Sequence, residues 1–264
     1  MTLLIAGIGL FVYMTFAFCL ALYQRDNGVA DIAYGCGFIL LAWVSWTGGM
    51  HSLAGALLSI FVTVWGLRLA VRIYAKNWNK PEDFRYKAMR DRWGKNVVVR
   101  SFFTIFMLQG ALIFIIALPV MLTNVYATAP GLSLLSWLGS IIWAKGFLFE
   151  TVGDYQLDMF RKNPLNKGHI MNTGLWYFTR HPNYFGESLM WWGIALVAYS
   201  QLTLVWGYAL ALVVVISPIT ITYLLLKVSG IPLLEAHFSG EEWEGYKKRT
   251  NSFIPWFPKK LDNR

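Results

Sequence analysis

The sequence predicts an all-helical membrane protein: a polytopic bundle of seven transmembrane helices, with the N-terminus outside and the C-terminus in the cytoplasm. The composition is 56% hydrophobic and only 14% charged, which is far more apolar than a soluble domain of this size. Several apolar runs approach the roughly 17 to 25 residues that one membrane crossing requires. No alternating strand pattern interrupts them, and an open sheet would leave backbone groups unpaired in lipid. We therefore expect a single membrane domain over residues 1–264.

Seven apolar segments are predicted to cross the membrane. They are residues 3–23, 32–50, 53–75, 102–125, 132–148, 184–199 and 202–226. The sixth is the shortest of them. We expect residues 1–125 to form the substrate side of the bundle and residues 132–258 to form the cofactor side.

The loop charges predict the orientation. Lys and Arg occur in residues 24–31, 76–101 and 160–181 and in the tail from residue 227, and they are absent from the connections 51–52, 126–131 and 200–201. Because basic loops remain on the cytoplasmic side, the first group is expected inside. The net charge of +9 is then an orientation signal, and no nucleic-acid partner is expected. A bacterial inner membrane is the expected location, and no obligate protein partner is implied.

Metal and disulfide chemistry are not expected. Cys19 and Cys36 both lie in apolar segments and form no metal-ligand spacing. They are interpreted as small buried hydrophobic residues.

A polar insert follows the third span, and two interpretations of it stay open. Pro81, Glu82 and Asp83 are expected to begin a short helix. In the first interpretation, this helix faces lipid headgroups with its basic side chains. In the second, Arg85, Arg90 and Arg92 help to cover an anionic ligand.

The stretch from residue 153 to residue 187 combines charged, amide, aromatic and glycine residues between two apolar segments, which favours a functional site. It begins on a helical stripe that carries Glu150, Asp154, Asp158 and Arg161, and such carboxylates are costly at a membrane boundary unless they are paired. Residues 160–174 are expected to be irregular because they contain one proline, two glycines and several amides. Asn163 and the neighbouring basic residues can face a polar ligand there.

The sixth helix is predicted to begin at Pro182, since proline is preorganised for the first helical position. Its free N–H groups would lie beside Arg180 and His181 and form a site for phosphate or carboxylate. An ordinary inside-facing arginine and a capping histidine would explain these two residues without any ligand.

Further polar and aromatic residues surround this helix start. Asn183 and Glu187 share one stripe, with Tyr184 beside it. Trp176 and Tyr177 could stack on a flat ring. Taken together with the basic residues, they favour a nucleotide-type cofactor site.

The runs GDYQLDMFRKNP and GLWYFTRHPNYFGE, with LLEAHF and YKKRTNSFIPWFP in the tail, resemble the steroid 5-alpha-reductase-like membrane proteins. The group known as domain of unknown function 1295 is the most similar, from about residue 31 to residue 258. The resemblance implies seven helices, NADPH bound by the C-terminal helices, and reduction of a carbon–carbon double bond in a lipid or steroid-like substrate.

The resemblance also implies which residues line the cofactor. They are Asp154, Arg161, Arg180, Asn183, Tyr184 and Glu187, with His237 and Tyr246 as weaker matches. Arg161 and Arg180 would bind phosphates as permanently charged planar donors. Asn183 and Glu187 would hold the nicotinamide amide.

The second span departs from the ketosteroid reductases, because it lacks their Gln-Glu pair, and Glu150 stands where relatives tend to have Asn. A 3-ketosteroid substrate is therefore in doubt, and the proton donor must be sought elsewhere. Tyr74, near the inner end of the third span, is the first candidate, with Tyr34 behind it. Glu187 is a third, as an ionisable group inside a membrane helix.

Two other functions stay open. Isoprenylcysteine carboxyl methyltransferases and phospholipid methyltransferases also have an Arg-His-Pro-x-Tyr motif and an acidic tail resembling residues 241–246, and they bind S-adenosylmethionine. The GDYQLDMFRKNP block favours the reductase over these enzymes. A transporter or lipid-binding scaffold is the third class, without support from an inverted repeat.

Overall fold

The computed structural model describes residues 1–260, and this part of the chain contains helices and no strand. The helices are α1 (Thr2–Gln24), α2 (Val29–Thr47), α3 (Leu53–Asn77), α4 (Phe84–Trp93), α5 (Val97–Ser101), α6 (Leu108–Ile116), α7 (Leu118–Tyr126), α8 (Leu134–Lys162), α9 (Leu175–Phe178), α10 (Pro182–Ala211), α11 (Ile216–Tyr223), α12 (Ile231–Glu235) and α13 (Glu241–Arg249). Two π-helical turns, Phe102–Met107 and Leu224–Val228, continue α5 and α11. The predicted all-helical class is confirmed.

Five helical segments are long and apolar enough to cross a membrane. They are Thr2–Gln24, Val29–Thr47, Leu53–Asn77, Phe84–Ile116 and Pro182–Glu235. The last has 54 residues, which is longer than one crossing needs. The predicted span 132–148 lies within α8, which carries Lys145 and Glu150 and is not among the five. Seven crossings and their orientation stay predictions.

The predicted break between the last two spans is wrong. Residues 200–201 lie inside α10, and the backbone leaves helical geometry at Gly207, where φ is 74°. Glycine adopts this conformation without the steric cost of a side chain. Within the helix, the Ser200 hydroxyl donates to the Val197 carbonyl at 2.8 Å and Gln201 Nε2 donates to Ser136 Oγ at 3.0 Å. The Ser200 hydroxyl and the Gln201 amide nitrogen therefore have hydrogen-bond partners, while Gln201 Oε1 has none within residues 1–260.

The chain divides into two compact units. Unit 1 comprises Met1–Ser136 and Val197–Ser217, and unit 2 comprises Trp137–Leu196 and the chain from Pro218 onward. The expected single domain stays a prediction, and its last four residues lie outside the described part.

In unit 1, α2 and α3 cross at two glycines. A Cβ atom on Gly35 would lie 2.6 Å from the Gly66 carbonyl oxygen, and one on Gly66 would lie 2.7 Å from the Gly35 carbonyl oxygen. Small residues permit such close helix contacts in membrane proteins.

A buried amide fastens α7 to the same pair of helices. Asn124 Nδ2 donates to the Ala42 carbonyl at 2.8 Å, to Ser45 Oγ at 2.9 Å and to Ser59 Oγ at 3.1 Å. The amide nitrogen of Asn124 is satisfied in this way, while its Oδ1 is buried without a hydrogen-bond partner within residues 1–260.

The polar insert folds onto the α1–α2 connection. Its helix α4 begins at Phe84, later than the sequence predicts, because Asp83 accepts from the Arg85 N–H as the N-cap. Arg85 also pairs with Asp31 at 3.1 Å, and Arg90 pairs with Glu82 at 2.8 Å. Two of the three arginines therefore bind carboxylates of this chain, which favours a structural role for the insert.

The pKa of the Glu82 carboxyl group lies below its ordinary value in the folded protein. Burial raises its pKa, but hydrogen bonds from the Arg90 side chain and the Asn27 backbone N–H together outweigh burial and hold the pKa below its ordinary value. The carboxylate form is therefore favoured in the folded protein.

Both cysteines are free, and Cys19 is exposed on α1. The expectation that it is buried is wrong. Cys36, on α2, is half-buried.

In unit 2, α8 and α10 also meet at glycines. A Cβ atom on Gly186 would lie 2.5 Å from the Glu150 backbone nitrogen, and one on Gly193 would lie 2.6 Å from the Gly139 carbonyl oxygen. This contact sets the position of the α10 start relative to the charged half of α8.

Candidate functional site

Unit 2 contains a cavity of about 440 Å³, which lies within the usual size of small-molecule sites. The end of α8, residues 163–171, the α10 start and the tail helices surround it. Its apolar side chains include Leu157, Phe160, Met171, Trp176, Leu234, Phe238 and Trp243, and its polar ones include Arg161, Lys162, Asn163, Asn166, Lys167, His169, Arg180, His181 and Tyr246.

The predicted irregular segment 160–174 is irregular only after Lys162, because α8 continues to that residue. Asn163 accepts from the Leu165 N–H at 3.0 Å and begins a single 3-10 turn, Pro164–Asn166. Asn166 Nδ2 then donates to the Phe160 carbonyl at 2.9 Å. These bonds hold the basic residues on both sides of the turn at the cavity.

Helix α10 begins at Pro182, which confirms the prediction, but its start packs against α8. A Cβ atom on Gly153 would lie 3.1 Å from Pro182 Cγ and 3.3 Å from the Asn183 nitrogen. Asn183 Nδ2 donates to Asp154 Oδ1 at 3.2 Å. Asp154 and Asn183 therefore link the two helices, and neither lines the cavity.

Arg180 is buried and is bound on several sides by its own chain. Its Nε and Nη2 donate to the two carboxylate oxygens of Glu235 at 2.9 and 3.2 Å. Its Nη1 donates to the Lys247 carbonyl at 3.1 Å and to the Thr250 carbonyl at 2.5 Å. The guanidinium carbon also lies 5.6 Å from the centre of the Trp243 ring. The N–H groups of the Arg180 guanidinium therefore bind the Glu235 carboxylate and two backbone carbonyls.

His181 shares the same carboxylate. Its Nε2 lies 3.0 Å from Glu235 Oε1, and since a carboxylate only accepts, Nε2 carries the proton of this bond. The ring stacks on Tyr184 with a centroid separation of 5.6 Å. Its Nδ1 is buried and has no hydrogen-bond partner among residues 1–260.

Backbone contacts attach the tail to the segment before α10. Thr179 Oγ1 donates to the Phe253 carbonyl and the Arg180 N–H donates to the Asn251 carbonyl, both at 2.9 Å. The Tyr246 hydroxyl donates to the Trp176 carbonyl. Burial raises the pKa of the Tyr246 phenol, which therefore stays protonated.

Three other cations at the cavity differ from Arg180 in their exposure and in their ion pairing. Arg161, Lys162 and Lys167 line it and are exposed. Within the described residues none of them forms an ion pair. They leave an excess of positive charge on one side of the cavity.

The structure brings together half of the predicted cofactor residues. Arg161, Asn163, Trp176, Arg180, His181 and Tyr246 line the cavity, whereas Asp154, Tyr177, Asn183, Tyr184, Glu187 and His237 do not. Tyr177 and His237 are exposed, and Glu187 is half-buried on α10. The predicted binding roles of all twelve residues stay predictions.

The two predicted tyrosine acids lie in unit 1. The Tyr34 ring meets the edge of Phe38 at a centroid distance of 5.0 Å, and Tyr74 is about half exposed (49%) beside Trp78. Their catalytic role stays a prediction, as does that of Glu187.

Sequence reasoning missed Glu235, Lys162 and Lys167. Lys162 and Lys167 lie within the predicted irregular segment 160–174, so their proximity to Arg161 was a usable signal. Glu235 follows the apolar run of α12, and a lone carboxylate after such a run indicates a buried partner.

An all-helical chain with several membrane-length apolar helices belongs to the class of multi-pass membrane proteins, and this one carries a cationic, aromatic cavity. The chain belongs to the family described as protein of unknown function (DUF1295), whose profile matches residues 17–250.

A shorter match carries a more specific name. A 60-residue segment is 40% identical to the probable O-methyltransferase ustE of Ustilaginoidea virens. The match covers 23% of this chain and 21% of that relative, so the chain aligns with about a fifth of the relative's length. No solved structure matches the chain.

Proposed function

We propose that the protein is an NADPH-dependent membrane reductase that acts on a carbon–carbon double bond, of enone type, in a lipid or steroid-like substrate. One observation carries the proposal: an aromatic wall and three cations that form no ion pair within residues 1–260 line the same cavity. A nucleotide with several phosphates supplies the negative charge that these cations lack.

The residues present fit such a ligand. Arg161 offers a planar fork for phosphate, and Lys162 and Lys167 offer point charges. Trp176 and Phe160 provide flat surfaces, and Trp176 is fixed because its Nε1 donates to the Gly153 carbonyl at 3.0 Å. NADPH, when bound, supplies the hydride. The proton donor stays open between Tyr74, Tyr34 and Glu187.

The proposal includes the finer topology. Seven crossings with the N-terminus outside would place residues 160–181 and the tail in the cytoplasm, where NADPH is available. The loop charges support this orientation, and a bacterial inner membrane is the proposed location.

A second candidate is an S-adenosylmethionine-dependent methyltransferase of the isoprenylcysteine or phospholipid type. The partial match to a probable O-methyltransferase favours it. S-adenosylmethionine, however, carries one carboxylate and no phosphate, so as a cofactor it offers these three cations much less negative charge than NADPH does. The charge of the cavity therefore favours the reductase.

Titration of the purified protein with NADPH, NADH and S-adenosylmethionine separates the candidates. We expect NADPH to raise the unfolding temperature and to change its nicotinamide fluorescence, and NADH to act more weakly because it lacks the 2′-phosphate. Stabilisation by S-adenosylmethionine alone would establish the second candidate. No response to any of the three would leave neither enzyme supported.

A further inference from the structure

We propose that Arg180, Glu235 and His181 form a clasp that fastens the C-terminal tail as one wall of the cavity. Arg180 is then a positioning residue and does not bind phosphate. The clasp does not depend on the proposed function, because the tail would form this wall of the cavity whichever ligand binds there.

Most of the hydrogen-bond donors of the Arg180 guanidinium are already in use. Arginine has five N–H donors, and the bonds to Glu235, Lys247 and Thr250 use the Nε, Nη1 and Nη2 groups. Arg180 is only 8% exposed. Four of the five donors are in use and one N–H of Nη2 is left, so an anion could form a two-bond contact with this guanidinium only by displacing Glu235 or a carbonyl.

The clasp joins the two ends of the tail segment that lines the cavity. Glu235 ends α12, while Lys247 and Thr250 lie at the end of α13. Between these points lie Phe238, Trp243 and Tyr246, which line the cavity. One side chain at the α10 start therefore holds both ends of the segment that supplies this wall.

Arg180 and His181 share the carboxylate of Glu235. Glu235 Oε1 accepts from both Arg180 Nε and His181 Nε2, so it also fixes the orientation of the imidazole ring at the cavity. Only a planar fork reaches a carboxylate and two carbonyls at once, so lysine is not expected to replace Arg180.

Hydrogen exchange of the full-length protein in detergent, without any cofactor, tests the clasp. In Glu235→Gln and Arg180→Lys, we expect backbone amides of residues 241–256 to exchange about tenfold faster or more, because the tail opens more often. Glu244→Gln is the matched control: Glu244 is exposed in α13 and loses the same charge, so exchange should be unchanged. Unchanged exchange in both clasp variants would overturn the proposal.

A milder variant covers the case in which those two do not fold. His181→Ala removes one bond of the clasp and leaves the Arg180–Glu235 pair in place. Tail exchange should then increase by a few-fold, roughly the effect of one hydrogen bond. No increase in this variant would also count against the clasp.

The salt dependence of NADPH binding separates positioning from direct contact. In the double variant Arg180→Gln/Glu235→Gln, which removes both charges of the pair, we expect weaker binding with an unchanged salt dependence, because no cation that contacts the ligand has been lost. Weaker binding with an altered salt dependence and unchanged tail exchange would show that Arg180 contacts the ligand. If wild-type protein binds no NADPH, the proposed function fails, while the exchange experiment still decides the clasp.

Discussion

Arg161 and Arg180 line the same cavity, but they have different surroundings. Arg180 is buried and paired with Glu235, whereas Arg161 is exposed and has no ion pair within the described residues. A cation already neutralised by a carboxylate attracts a phosphate weakly, while an unpaired one attracts it fully. Under the proposed function we therefore expect Arg161, and not Arg180, to bind the anion; the sequence motif alone ranks the two equally.

Arg161→Ala is expected to raise the Kd for NADPH about tenfold, the effect of one charge-assisted hydrogen-bonding group. Arg161→Lys should have a smaller effect. Fluorescence titration at low and high salt measures both, and the difference should shrink as salt screens the charge. Lys248→Ala is the control, because this exposed residue of α13 does not line the cavity. An equal loss in the control would indicate only a general charge effect.

Glu82→Gln is expected to destabilise the protein by roughly 1 kcal/mol at neutral pH through weakened bonds to Arg90 and Asn27. The folded-state pKa of Glu82 is below its ordinary value, so its contribution is complete above that ordinary value. It is lost as the pH falls through the folded-state pKa. Thermal unfolding of both proteins between neutral and acidic pH should show curves that converge at low pH; a difference that grows on acidification would contradict this.

At the scale of elements, glycine contacts decide where the site lies. Gly186 of α10 meets the backbone of α8 at Gly146 and Glu150. The irregular segment and the Pro182 start connect these two helices. A shift at the crossing would therefore move Arg161 and His181 relative to each other, so helix packing determines the geometry of the cavity.

Gly186→Ala is expected to lower stability by about 2 kcal/mol, because its Cβ would overlap backbone atoms that cannot rotate away. Gly9→Ala is the control: this glycine lies in α1 and has nothing within 4 Å of an added Cβ. Thermal unfolding in detergent should separate the two variants. Equal unfolding temperatures would show that the helices do not approach this closely.

At the scale of the whole molecule, charge and hydropathy act together. The basic segments 76–101 and 160–181 alternate with the uncharged connection 126–131 along the chain. The cavity cations Arg161, Lys162 and Lys167 belong to one of these basic segments. The charges that predict the orientation of the chain in a membrane are thus partly the charges that line the cavity.

Reporter fusions test the proposed topology. Fusions after Lys95 and after Lys260 are expected to report the cytoplasm, and a fusion after Pro130 the opposite side. Replacing the basic residues of the 76–101 segment should weaken this preference. A cytoplasmic signal from the Pro130 fusion would contradict the seven-span topology.

The sequence by itself determined the helical class, the family and the beginning of α10 at Pro182, because hydropathy, loop charge and proline stereochemistry act over a few neighbouring residues. It placed the last helix break wrongly, since Ser200 and Gln201 find partners that are not sequence neighbours. It also could not distinguish Arg180 from Arg161. Glu235, the partner of Arg180, lies 55 positions away along the chain, and only the packing of the tail against the α10 start brings the two together. The tertiary structure therefore decided which charged side chains form ion pairs within the chain and which form none among the described residues.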